Sequence, residues 1–513
     1  MNLITAYSIA FIASFCTLVI EIVAGRILAP FVGVSLYTWT SIIGVVLAGI
    51  SIGAYLGGKL ADRYPQKKTL GWLLLLSGLA AFSIAPLTTV IAQYPFSVAL
   101  MWRILFVTTI IFFIPSFLLG TISPVVVKLA IQNLDRVGNV VGKLYAFSTL
   151  GSILGTFATG FFLISWIGTR NIILIMGAIL ILTAVFLGSL FKTKKPAVAF
   201  LLFPPLLLCG VYNSAFKTPD TYAYFYKESD YYTIKLTKLL SSDEETWLEA
   251  LVLDHLLQSY VDTENPLHLE YGYEKIYSEV FKWRFKKDVG FRSLTIGGGG
   301  YSFPRYMEIF YPNAYIDVVE IDPEVTRIAY NYLALPKNTR ILTYNTDGRW
   351  FVINCKARYD VIFIDAFNDL SIPYHLITKE FSQQLKDILN PNGMLLTNIV
   401  DNFQKGAFLP SYLKTLREVF GDKNVHLVSV NPNFKNTGIS TFIVIAGNGN
   451  LDINDFNRYS KSQGDGTSYV VPEEVMDDFL SKRHSVVLRD DYVPVDNLLA
   501  PVFEERFEYD RKN

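Results

Sequence analysis

Six apolar runs fill the first 190 or so residues, each close to the ~20 residues that an α-helix needs to cross a hydrocarbon core. They cover 4–25, 36–58, 70–93, 103–122, 144–168 and 171–191. One such run is compatible with a buried core helix. Six in succession are not, so the chain is expected to be an integral membrane protein with multiple spans. A seventh, shorter run at 197–213 contains Pro204-Pro205, which interrupts helical hydrogen bonding near its middle. The first run reads as a retained span rather than a cleaved leader, because it lacks a basic start and a small-residue cleavage site ahead of Glu21 and Arg26.

The short loops set the expected orientation. Lys59, Arg63, Lys67 and Lys68 follow the second run, Lys128, Arg136 and Lys143 follow the fourth, and Lys192, Lys194 and Lys195 follow the sixth. Basic residues concentrate on the cytoplasmic side, so these loops and the N-terminus are expected there. The side of the remaining chain depends on 197–213: a full span puts it outside, and a re-entrant segment puts it inside. The loop GGKLADRYPQKK resembles the one after the second helix of major facilitator transporters, although that family has twelve spans. An ordinary positive-inside loop with small residues for helix packing explains it as well. Glu21 and Arg26 lie near the end of the first run, where each either stays in the membrane as a functional charge or reaches the interface.

Composition changes near residue 216, after which charges, turns and aromatic residues return. Three units are expected: a transmembrane helical domain over 1–216, a small β domain over 217–265, and an α/β domain over 266–513. Over the whole chain 45 basic and 45 acidic residues cancel, so nothing draws it to nucleic acid. Cys16, Cys209 and Cys355 form no CxxC pair. His255, His268, His375, His426 and His484 show no metal-ligand spacing, and no metal is expected.

In the C-terminal half, DYYTIKLTKLL and WLEALVLDHLLQSY alternate as strands around a polar turn at Ser241-Ser242-Asp243. They predict a small antiparallel sheet, and YGYEKIYSEVFKWRF after them predicts a helix. SLTIGGGG then runs from a strand into Gly297, Gly298, Gly299 and Gly300 and on to a helix. Glycines at such a turn let a ligand approach the backbone and the helix N-terminus. The position of the third glycine of a dinucleotide fingerprint is Ser302. About twenty residues on, AYIDVVEID ends in Glu320 and Asp322, at the spacing where a carboxylate binds both ribose hydroxyls. RILTYNTDGRWF presents Asp347-Gly348, YDVIFIDAF presents Asp365, and GMLLTNIV follows the turn Asn390-Pro391-Asn392-Gly393. Four successive strands thus carry a glycine cluster or a carboxylate at the carboxyl end, the edge where open α/β sheets bind ligands. An adenine nucleoside is the expected ligand.

At these residues the sequence resembles the spermidine synthase (polyamine aminopropyltransferase) family, in its membrane-fused bacterial branch. GTISPVVVKLA, LYAFSTLGSILGT and DDYVPVD are similar to that branch too. The resemblance implies a Rossmann-like, methyltransferase-type fold behind a small β domain, with decarboxylated S-adenosylmethionine as aminopropyl donor and a polyamine as acceptor. It implies that Glu320 holds the ribose, Asp347-Gly348 the adenine, and that Asp365 is the catalytic base. Tyr232, Tyr271, Asp369, Pro373 and His375 would contact substrate, with Asp490 and Asp491 near the acceptor. A homodimer is compatible with this reading. The sequence also departs from the family. GGGDGG reads GGGGYS, so Gly300 replaces the aspartate for the donor's amine; SPYQ reads SDYY, with Tyr232 in the glutamine's place. Tyr-His-Glu appears as Tyr271-Gly272-Tyr273, and DSSDP reads DAFND, with Asn368 at the second aspartate and Asp369 one position later.

The nucleoside contacts survive better than those for the amines. Three functions follow: a membrane-bound aminopropyltransferase, an S-adenosylmethionine-dependent methyltransferase acting on a membrane-associated substrate, and a non-catalytic nucleoside- or polyamine-sensing membrane protein. In the first, the acceptor ammonium must lose a proton before it attacks, and a carboxylate attracts, orients and deprotonates it.

Overall fold

The computed structural model describes residues 1–33, 35–91, 100–131, 133–188, 223–366, 372–449, 451–462, 464 and 466–509. The run at 197–213, the 216/217 boundary, Cys209, Asn368 and Asp369 lie outside the described residues. The chain divides into two compact units, Met1–Thr221 with Glu228–Asp230 and Tyr222–Lys227 with Tyr231–Asn513.

The first unit holds α1 (Leu3–Val32), α2 (Leu36–Arg63), α3 (Lys67–Ile91), α4 (Leu100–Ala130), α5 (Val137–Ala158) and α6 (Thr169–Phe186). α5 continues through a π-helical turn, Thr159–Leu163, to Ile167. The six expected spans are therefore six helices, each long and apolar enough to cross a membrane. The second and fourth pack backbone to backbone. A Cβ at Gly57 would lie 2.7 Å from the Thr121 Cα, and one at Gly53 would overlap the Phe117 carbonyl. Such small residues let helices approach closely where lipid supplies no hydrophobic drive. The GGKLADR stretch expected as a loop is the last turns of α2, and its Asp62 pairs with Lys128 of α4 at 2.7 Å.

The second unit begins with a four-stranded sheet in the order β1-β2-β3-β4. Its strands are β1 (Ala223–Glu228), β2 (Thr233–Leu240), β3 (Trp247–Leu253) and β4 (Leu256–Val261). The turn at 241–243 closes the antiparallel β2–β3 pair. α7 (Gly272–Arg284) follows. It buries Ile276, Tyr277, Val280 and Phe281, a three-and-four spacing that forms one face. Tyr277 and Phe281 lie 4.8 Å and 5.3 Å from the Phe363 ring. Each such side chain contributes about 1.5–3 kcal/mol when removed from water, so the helix is firmly seated.

An eight-stranded sheet completes the unit: β5 (Arg292–Ile296), β6 (Tyr315–Glu320), β7 (Leu342–Asn345), β8 (Tyr359–Ile364), β9 (Leu389–Asn402), β10 (Val425–Ser429), β11 (Ile439–Gly447) and β12 (Tyr469–Val470). Its order is β12-β10-β11-β9-β8-β5-β6-β7. The five strands from β9 to β7 are parallel, and β11, β10 and β12 extend the sheet antiparallel. β8 is buried on both faces, as a covered parallel strand must be. The turn at 390–393 appears as a bulge: Tyr359 pairs with Leu389, and Val361 next pairs with Met394.

The chain runs from β5 outward to β6 and β7, then returns to place β8 on the other side of β5. Crossovers leave β5 in opposite directions at its carboxyl end. A ligand crevice opens at that switch point.

Candidate active site

α8 (Ser302–Phe310) follows β5, and the glycine turn joins them. Gly297 has φ +101°, and a Cβ there would overlap the Asp365 carbonyl oxygen, so only glycine lets the turn lie against the end of β8. Glu320, at the end of β6, is buried. One of its oxygens accepts from the Gly298 amide at 2.7 Å and the other from the Asp322 amide at 2.9 Å. Burial pushes its pKa up, and these amide bonds oppose that shift.

An outer pocket of about 130 Å³ lies beside this turn, lined by Glu320, Ile321, Asp347, Gly348, Pro373 and His375 among others. Asp347 caps α10 (Gly348–Asn354), after α9 (Pro323–Tyr332), by accepting from the Trp350 amide at 2.9 Å. Its other oxygen meets His375 Nε2 at 2.8 Å. Tyr232 and Leu253 of the small sheet also line this pocket. The combination is a slot with an apolar wall, a carboxylate on one strand end and a second on the next.

An inner pocket of about 300 Å³ adjoins it. Asp365, Gln258, Gly297 and Gly299 line both, so Asp365 stands at the junction. Asn398 on β9 donates to Asp365 Oδ1 at 3.1 Å. Burial raises the Asp365 pKa, and hydrogen bonds from Asn398 and Tyr273 act against it. Tyr271, Tyr273, Glu274 and Tyr277 come from α7 and its N-terminal edge. The Tyr271 hydroxyl donates to the Leu257 carbonyl at 2.8 Å, and burial pushes it and Tyr277 up.

Four buried polar atoms on residues lining the inner pocket have no hydrogen-bond partner among the described residues: Glu274 Oε2, Tyr277 Oη, Thr295 Oγ1 and Asn398 Oδ1. A native core leaves few such groups. Their convergence on one cavity marks it as a place for a hydrogen-bonding ligand.

The structure sorts the residues expected from sequence. Gly297, Gly299, Glu320, Asp347, Gly348, Tyr232, Pro373 and His375 meet around the outer pocket, and Gly298 and Tyr271 stand in the inner one. His375 is thus beside Asp347 and outside the lining of the inner pocket, because the turn at Tyr374–Leu376 packs over α10. Gly300 faces the small sheet, where its amide donates to Ser259 Oγ at 2.8 Å. Asp490 holds Arg349 through two bonds of 2.7 and 2.6 Å, and neither it nor Asp491 lines either of these two pockets. Asp369 lies outside the described residues.

Sequence reasoning missed Gln258, Glu274 and Asn398. Gln258 reaches the junction from β4, near where Tyr232 replaces the family's glutamine. The signal for Glu274 was an acid in the first turn of a helix whose neighbours are tyrosines. Asn398 lay in an otherwise apolar strand, GMLLTNIV.

Residues 288–455 match the family model described as the spermine/spermidine synthase domain. The C-terminal half carries a spermidine synthase-like domain. Residues 3–241 match the Major Facilitator Superfamily model, so the synthase-like domain follows a facilitator-like membrane half. The chain is 38% identical over 136 residues to the polyamine aminopropyltransferase of Vibrio vulnificus (strain CMCP6), covering 26% of this chain and 44% of that relative. It thus spans less than half the length of that relative. The similarity to polyamine aminopropyltransferase 2 of Aquifex aeolicus (strain VF5) runs through both halves, at 23% identity over 498 residues, 90% of this chain and 92% of that one. A crystal structure of a probable spermidine synthase from Corynebacterium glutamicum ATCC 13032 aligns with a TM-score of 0.44 at 20% identity, covering 54% of this chain and 99% of that one.

Proposed function

We propose that this membrane protein transfers an aminopropyl group from decarboxylated S-adenosylmethionine to a primary amine of the polyamine class, with Asp365 as general base. The observation that carries this reading is the place of Asp365 at the junction of two adjoining pockets. The outer one suits the adenosine of the donor: Glu320 accepts from the ribose, and the Asp347-Gly348 turn borders the base. The inner one suits an amine, because its unpartnered atoms include a carboxylate oxygen and other acceptors.

Asp365 draws an acceptor ammonium to the junction and takes one of its protons. The freed nitrogen lone pair attacks the donor methylene bonded to sulfur. The C–N bond forms as the C–S bond breaks, the sulfur keeps the bonding pair, and methylthioadenosine leaves. The carboxyl returns its proton to water. Asn398 and Tyr273 orient the carboxylate, and lifting its pKa by burial makes it a stronger base.

The same pocket argues against S-adenosylmethionine as the donor. Its extra carboxylate would enter the space beside the Asp365 carboxylate, and like charges at close range repel. For location, six spans with basic loops on the N-terminal side favour a cytoplasmic synthase domain, where a nucleoside donor is supplied.

The test uses the full-length chain in lipid nanodiscs with decarboxylated S-adenosylmethionine and putrescine, reading methylthioadenosine by chromatography. Turnover that disappears in Asp365→Asn, with methylthioadenosine binding retained, supports the reading. Formation of S-adenosylhomocysteine by wild type when S-adenosylmethionine replaces the donor, or equal turnover by the variant, overturns it.

A further inference from the structure

Gly300 stands where the synthase family has an aspartate for the donor's amine. The fold leaves no room for a side chain there. A Cβ on Gly300 would lie 2.7 Å from both the Ser259 Cβ and the Val261 Cγ2, and these belong to β4, which cannot retreat cheaply. The amine-binding carboxylate must come from elsewhere or be absent.

Glu274 is 2% exposed, in the first turn of α7. Its Oε1 accepts from Ser302 Oγ, two residues beyond Gly300. Its Oε2 has no partner among the described residues, and the residue lines the inner pocket with Asp365. A carboxyl kept only to cap or brace the core would have both oxygens engaged, since buried polar groups without partners are costly. Here the bare oxygen shares a cavity with three further unpartnered polar atoms, Tyr277 Oη, Thr295 Oγ1 and Asn398 Oδ1.

An ammonium group carries three donors and no acceptor. It is the complement of this set: a carboxylate oxygen, an amide oxygen and hydroxyl oxygens, with Asp365 nearby. We propose that Glu274 pairs with a primary ammonium in the inner pocket, supplying from α7 the carboxylate that Gly300 cannot carry. The inference rests on the aminopropyl-transfer reading. Two molecules could bring the ammonium, the tail of the donor or the far end of the acceptor.

The experiment is calorimetric titration of the full-length protein in nanodiscs, wild type against Glu274→Gln, which is isosteric and can still bond Ser302. Three titrations are run: methylthioadenosine, which lacks the amine; decarboxylated S-adenosylmethionine, which has it; and putrescine added to the methylthioadenosine complex. Loss of a charge-assisted bond predicts about 10- to 100-fold weaker binding of whichever ligand brings the ammonium. A loss confined to decarboxylated S-adenosylmethionine assigns Glu274 to the donor tail. One confined to putrescine assigns it to the acceptor, and both outcomes support the proposal. Unchanged affinities overturn it, as does equal weakening for methylthioadenosine, which would make Glu274 a brace. A wild type that binds none of the three ligands overturns the aminopropyl-transfer reading itself.

Discussion

Asn398 and Asp365 face each other from neighbouring parallel strands, with the amide nitrogen 3.1 Å from the carboxylate. This bond stabilises the charged form of Asp365 and so lowers its pKa against the effect of burial. Asn398→Ala should therefore raise that pKa. A base must be deprotonated to act, so the acid limb of kcat/KM against pH should move to higher pH. Activity at pH 7 should fall about 10- to 100-fold, the loss expected of a hydrogen bond to a charged group. An unchanged acid limb would mean that Asp365 is not the group whose titration limits turnover.

Glu320 accepts from the backbone amides of Gly298, Gly299 and Asp322 and faces the outer pocket. Glu320→Gln keeps one amide acceptor but loses the charge, and hydrogen bonds to a charged group contribute about 1.5–3 kcal/mol. Methylthioadenosine should bind about 10- to 100-fold more weakly than to wild type. A normal affinity would remove Glu320 from the ribose site.

The alternation of strand and acid made most of this site legible. Each of the runs at 292–296, 315–320 and 359–364 is apolar and ends at a glycine or carboxylate, and parallel strands must present those ends on one edge. Glu274 was not legible in the same way. Its neighbours Tyr273 and Tyr277 are four residues apart and read as a core face, and only the packing of α7 beside β8 turns that face into a cavity wall. Gln258 is one polar residue in an alternating strand, with no local mark that it reaches the junction beside Asp365. Gly300 looked like a lost aspartate; the packing of β4 against it gives the steric reason.

Asp401 tests the electrostatics away from the site. It is fully buried, and its carboxylate accepts from the Leu409 amide at 2.7 Å and the Asn402 amide at 2.7 Å. Burial raises its pKa to about 7, against those two bonds. An acid with a raised folded pKa binds more protons folded than unfolded. Its contribution to stability is full below the unfolded pKa near 3.9 and is lost as pH rises toward 7. The melting temperature of wild type should therefore fall relative to Asp401→Asn between pH 5 and pH 8. A constant difference across that range would show that Asp401 does not titrate there.

Glu274 makes a second pH prediction, with the sign reversed for binding. Burial is the main cause that raises its pKa, to about 8; nearby Asp365 raises it further, while Ser302, the Tyr271 backbone and Lys275 lower it. At pH 7 the free protein therefore holds Glu274 mostly protonated. An ammonium beside it favours the carboxylate, so binding should expel a proton. Two consequences follow from linkage: affinity for the amine-bearing ligand should rise as pH increases from 6 toward 8, and the apparent binding enthalpy should differ between phosphate and Tris by the proton released. Calorimetry of the full-length protein with decarboxylated S-adenosylmethionine in both buffers, and with putrescine on the methylthioadenosine complex, measures it directly. Glu274→Gln should abolish the buffer dependence together with the added affinity. A buffer dependence that persists in that variant would assign the proton to another group, with Asp365 the first to examine because it shares the cavity.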